Sequence, residues 1–97
     1  MAELTGSWRK VGAPDCAAGY PDELTFSTGT YRGIRGAAQG FVQWDAGVWR
    51  IGDDGRLVLS LATDELVGYE FQLTDELLEI VDSAGCRFSY QRVPPPI

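Results

Sequence analysis

Residues 57–90 read LVLSLATDELVGYEFQLTDELLEIVDSAGCRFSY, and this stretch decides the fold. Leu57, Leu59 and Leu61 fall on one side of an extended chain, as do Tyr69, Phe71 and Leu73, then Leu78 and Ile80, then Phe88 and Tyr90. A period of two is the strand period. Turn chemistry separates the runs: Asp53-Asp54-Gly55, Thr63-Asp64-Glu65, Thr74-Asp75-Glu76 and Ser83-Ala84-Gly85, at intervals of 10, 11 and 9 residues. Short alternating strands with regular turns predict an up-and-down antiparallel meander.

Working outward, the first half parses less regularly. Leu4 to Val11 reads as a strand with Leu4, Gly6 and Trp8 on one face, and residues 12–21 as a loop. Leu24 and Phe26 mark a second strand, Ser27-Thr28-Gly29 a turn, and Thr30 to Ile34 a third strand. A Gly- and Ala-rich connection leads to Gly40, and Phe41 to Ile51 reads as a long fourth strand kinked or bulged at Ala46-Gly47. The expectation is an all-β chain of eight strands with no long helix. Closing the sheet into a barrel removes both exposed edges, with a flattened sandwich as the competing answer. Residues 1–93 form a single domain on this reading. Residues 94–97 form a Pro-rich tail that cannot continue a ladder.

At 97 residues and 10.6 kDa the chain holds one domain. No apolar run approaches the ~20 residues of a membrane span. The start Met1-Ala2-Glu3-Leu4 lacks a leader's basic and apolar segments, so the chain reads as cytoplasmic, or as secreted or periplasmic if it is a processed form. It contains no His and no Asn, which removes His-based triads and the usual neutral-pH general base. Two cysteines alone cannot build a zinc site. The glycines between Gly33 and Gly40 match no phosphate-binding pattern. No enzyme activity, metal or cofactor is expected. A net charge of −6 with only Lys10 and seven arginines as cations argues against nucleic acid and anionic membranes as partners.

Gly6-Ser7-Trp8 lies in the first strand and Tyr90-Gln91-Arg92 near the end of the last. This resembles the lipocalin and wider calycin pattern, in which Gly-x-Trp opens the barrel and a final-strand Arg packs across the Trp at the closed end. The chain looks most like the compact lipocalin-like domains of bacteria. By size and architecture alone it is also similar to the staphostatins, small barrel inhibitors of cysteine proteases. The resemblance implies structural roles for Gly6, Trp8 and Arg92, and a barrel with a closed and an open end. Turns 27–29, 53–55 and 74–76 then fall at the closed end, while 12–21, 35–40, 63–66 and 83–85 fall at the other.

Two roles follow as expectations. The first is a non-catalytic module that binds a protein or peptide through open-end loops, with inhibition as a special case. The alternative is a lipocalin-like carrier or sensor of a small apolar ligand. Inward positions such as Trp8, Phe26, Tyr31, Trp49, Ile51, Tyr69 and Tyr90 should fill most of so short a barrel, which favours the first. Arg32, Arg35, Gln39, Phe41 and Trp44 are the candidate binding residues, Trp44 as an exposed anchor if the fourth strand keeps its register. Cys16 and Cys86 would lie at one end and close enough to bridge. The missing leader argues instead for two reduced thiols, and the sequence leaves both states open.

Overall fold

Alternation of the kind seen in residues 57–90 runs through most of the chain and closes it on itself. The computed structural model describes residues 4–12, 14–37, 39, 40, 42, 44–61 and 63–94. In chain order it has β1 (Gly6–Val11), β2 (Glu23–Phe26), β3 (Thr30–Ile34), β4 (Ala46–Ile51), β5 (Leu57–Ser60), β6 (Leu66–Leu73), β7 (Leu77–Val81) and β8 (Arg87–Val93). Each strand pairs antiparallel with the next, and β1 pairs with β8, giving a closed eight-stranded barrel. A single 3-10 turn, Asp15–Ala17, is the helical element among the described residues, and none of their helices is long and apolar enough to cross a membrane. Of the Pro-rich tail, all but Pro94 lies outside the described residues.

The β1–β8 seam sets Ser7 opposite Val93, Trp8 opposite Arg92 and Val11 opposite Ser89. At the closed end the Arg92 guanidinium lies over the Trp8 indole, and the indole Nε1 donates to Leu4 O at 2.9 Å. Gly6 has φ +130°, and a Cβ there would stand 2.8 Å from an Arg92 terminal nitrogen. The glycine of the Gly-x-Trp pattern is therefore needed twice, for its backbone conformation and for the guanidinium beside it.

Expected inward positions largely pack as read: Trp8, Leu24, Phe26, Tyr31, Leu57, Leu59, Tyr69, Leu78, Ile80, Phe88 and Tyr90 are buried, and Trp49, Leu61, Phe71 and Leu73 pack against them half-buried. Ile51 is a correction. It pairs with buried Leu57 yet is exposed, because it is the last residue of β4 and end positions of a short barrel strand remain open to water. The fourth strand is also shorter than expected. It begins at Ala46 rather than 41, so the break at Ala46-Gly47 is its start and not a kink within it.

Candidate functional site: the plugged open end

Between β1 and β2 the chain does not loop outward; it folds into the barrel mouth. Ala17, Tyr20 and Pro21 are buried there, and the Tyr20 ring stacks on Phe88 at 4.4 Å and tilts against Trp44 at 4.6 Å. Trp44 meets Tyr69 edge-on at 5.2 Å and donates its indole N–H to the Tyr69 hydroxyl at 3.1 Å. Aromatic side chains bury large apolar areas, and here they pack on one another beneath the plug.

A buried loop must find partners for its own polar groups, and this one finds them in residues far apart in sequence. Lys10 points inward because it alternates with Gly6 and Trp8, and its side chain is only 7% exposed. Its ammonium donates to Ala17 O at 3.0 Å and Tyr20 O at 2.9 Å, and pairs with an Asp22 carboxylate oxygen at 3.3 Å. Gln39 closes the other side: its amide nitrogen donates to Tyr20 O (2.7 Å) and Ala18 O (3.2 Å), while its oxygen accepts from the amides of Asp22 (3.1 Å) and Gly36 (2.8 Å). Below, the Tyr90 hydroxyl donates to Pro21 O at 2.7 Å and that of Tyr20 to Asp82 at 2.8 Å. Cys16 and Cys86, separated by 70 residues, are joined in a disulfide that ties the plug to the β7–β8 turn.

All four tyrosines have hydroxyl pKa values above the ordinary value. Burial is the first cause throughout. For Tyr20 the hydrogen bond to Asp82 and that carboxylate's charge add to it; Tyr31, beside Tyr69 and Asp45, is pushed up to about 12.

Outside the plug, between residues 12–22 and the 35–40 connection, runs a groove of about 870 Å³. Arg9, Asp15, Ala18, Arg35, Gly36 and Gln39 are among its lining residues. Arg9 pairs with Glu23 at 3.3 Å, whereas Arg35 is exposed and donates to Gly40 O at 3.2 Å. The groove therefore offers two guanidiniums, Arg9 held by a carboxylate and Arg35 bonded only to a backbone carbonyl.

Of the residues expected to bind, the structure brings Arg35 and Gln39 together on this groove, with Gln39 mainly engaged in holding the plug. Arg32 lies apart, on the outer face of β3. Phe41 lies outside the described residues. Trp44 corrects the expectation of an exposed anchor: it is fully buried. The reason lies in the backbone. Gly47 pairs with buried Tyr31 from the inner side, so Trp44 and Gly47 both point inward three residues apart, and alternation breaks between them. The chain at Trp44 crosses the inner side of β3 over Gly33, where a Cβ would stand 1.9 Å from Trp44 O. Lys10, Tyr20 and Asp82 were missed. For Lys10 a signal was present, since positions 6, 8 and 10 share one face of β1.

Among the described residues no group of three or more His, Cys, Asp or Glu is placed to hold a metal ion. No family model, no curated protein and no solved structure matches this chain.

Proposed function

We propose that the chain is a non-catalytic binding module that takes a protein or peptide partner across its open end, in the groove between the plug and the 35–40 connection. The observation that carries this reading is the plug. Tyr20 stacked between Phe88 and Trp44 occupies the space where a carrier would hold an apolar ligand, so the surface offered to a partner is the outside of the mouth. Small-ligand sites are concave and enclosed, and bury most of their guest; this groove is open and rimmed by charge.

Rigidity supports the same conclusion. A rim pinned by a disulfide, Lys10 and Gln39 loses little freedom on association, which lowers the ordering cost of binding. Arg35 is the residue placed to anchor a partner's carboxylate or carbonyl groups. The likeness to calycins belongs to this reading as a likeness in Gly6, Trp8 and Arg92. The bridged cysteines fit an oxidising compartment better than the cytosol.

The test is a pull-down on wild type and Arg35→Glu, with mass spectrometry of both the protein fraction and an organic extract. A protein partner retained by wild type and lost by the variant supports the reading. A small apolar molecule recovered without any protein replaces it with the carrier alternative. Should the partner be a protease, its turnover in the presence of excess chain separates inhibition from docking.

A further inference from the structure

Alternation places Thr30, Arg32 and Ile34 on the outside of β3, Ala46, Val48 and Arg50 on the outside of β4, and Val58 and Ser60 on that of β5. Registers align them: Thr30 with Val48, Arg32 with Ala46, Arg50 with Val58, and Ser60 with Leu66 of β6. Ile34, Val48 and Leu66 are 43%, 52% and 61% exposed. Two grooves border this face, one along β2 and β3 and the other along β4, β5 and β6. One, about 510 Å³, is lined by residues including Arg32 and Ile34; the other, about 560 Å³, by residues including Arg50, Val58 and Leu66. Val48, on the strand between them, forms the ridge.

Charge makes this face unlike the others. On β1–β2 Arg9 pairs with Glu23, and on β7–β8 Arg87 pairs with Glu79 at 2.7 Å. Strands β3, β4 and β5 contain no Asp or Glu at all. Among the described residues Arg32 and Arg50 make neither a hydrogen bond nor an ion pair, although the chain carries a net charge of −6. Asp53 and Asp54 stand at one end of the second groove, where Asp54 is already met by Arg56 at 3.6 Å. Exposed apolar side chains flanked by two unengaged guanidiniums make a surface whose complement is apolar in the middle and acidic at its sides.

We propose that the outer face of β3–β5 is a second interaction surface, specific for a protein segment that presents carboxylates on either side of an apolar ridge. Two other occupants fit the charges less well. A second copy meeting this face through a two-fold axis would set Arg32 and Arg50 against themselves with no carboxylate on either strand, because such an interface pairs a patch with itself. An anionic bilayer would attract the two arginines yet repel the rest of a molecule this acidic. A carboxylate partner gains charge-assisted, two-pronged bonds from each guanidinium, and Arg is enriched where binding energy concentrates.

The experiment is selection of a random surface-displayed peptide library on the wild-type protein, with affinities then measured for Arg32→Gln/Arg50→Gln, Arg32→Glu/Arg50→Glu, Val48→Asp and Arg35→Glu. Each variant is checked for an unchanged urea midpoint. Peptides that bind this face are expected to combine Asp or Glu with Leu, Ile, Val or Phe, and to weaken roughly tenfold or more with the Glu pair. The Gln pair should weaken them less, in the same direction, and Arg35→Glu should leave them unaffected. Acidic peptides lost only in Arg35→Glu would belong to the open end and overturn this proposal while leaving the first reading intact. Absence of acidic–apolar peptides, dimerisation abolished by Val48→Asp, or binding to phosphatidylserine vesicles lost in the Gln pair would each overturn it as well.

Discussion

The guanidinium carbon of Arg92 sits 4.3 Å from the centre of the Trp8 ring, while the same side chain donates to Asp75 O at 2.8 Å and Thr5 O at 3.0 Å. One residue thus covers the indole, joins β8 to the β6–β7 turn and holds the approach to β1. Trp8→Ala is expected to cost roughly 3–5 kcal/mol, as large aromatic truncations in cores do. Arg92→Ala should cost less, yet clearly more than Arg56→Ala, whose exposed ion pair with Asp54 is worth under about 1 kcal/mol. Urea unfolding of the three variants checks the order, and equal effects of the two arginine changes would remove the pairing as an explanation.

The disulfide should be a large single contribution to stability. Linking residues 70 apart restricts the unfolded chain by about 4 kcal/mol in the chain-entropy account. Cys16→Ser/Cys86→Ser is expected to lower the urea midpoint accordingly and to loosen the plug over Trp44. Thiol titration of the denatured, unreduced protein should find no free thiol; two reactive thiols would dispose of the bridge.

Gly33 is predicted to be less replaceable than Gly85. A methyl group at Gly33 would meet Trp44 O at 1.9 Å and the Pro21 ring at 2.9 Å, so backbone must move, at a cost of about 1–3 kcal/mol or more. At Gly85 a Cβ meets nothing within 4 Å and the penalty is that of a positive φ alone, about 1–2 kcal/mol. Comparing urea midpoints of the two alanine variants tests this, and the reverse order would mean that the chain at Trp44 yields easily.

Alkali should unfold the protein cooperatively. Tyr20, Tyr31, Tyr69 and Tyr90 all have raised pKa values in the fold, so between the unfolded value of about 10 and the folded values the unfolded chain holds fewer protons. Their contribution is complete below pH 10 and declines above it, by up to about 1.4 kcal/mol per pH unit for each tyrosine. Tyrosinate absorbance should therefore appear together with loss of circular dichroism. Absorbance rising near pH 10 with the fold intact would contradict the burial of these hydroxyls.

The half of the chain after Gly52 was legible because its strands bury one face and wet the other, so composition records the pleat directly. Trp8 and Arg92 were legible as a pair because a closed barrel brings the first and last strands together. The mouth was not. Tyr20 and Trp44 lie in segments without a period, where an aromatic side chain among glycines has the same signature whether it anchors a partner or fills a core. The orientation of Trp44 turned on whether β4 extended back through it, and that depended on Gly33 leaving room for a crossing chain. Contacts between one connection and the inner face of another strand leave no local pattern. Arg35 could be placed, since the expected topology assigned its connection to the open end.

Because β1 lies beside β8, with Ser7 opposite Val93, the ladders close into a ring and the place where the chain is cut has little architectural meaning. Joining the β8 end to the β1 start by a short flexible linker and reopening the chain in the exposed Asp53–Gly55 turn would preserve every ladder. The reopened ends would emerge away from the plugged mouth, which makes that turn a natural point to attach a fluorophore or a second domain while leaving the mouth groove free.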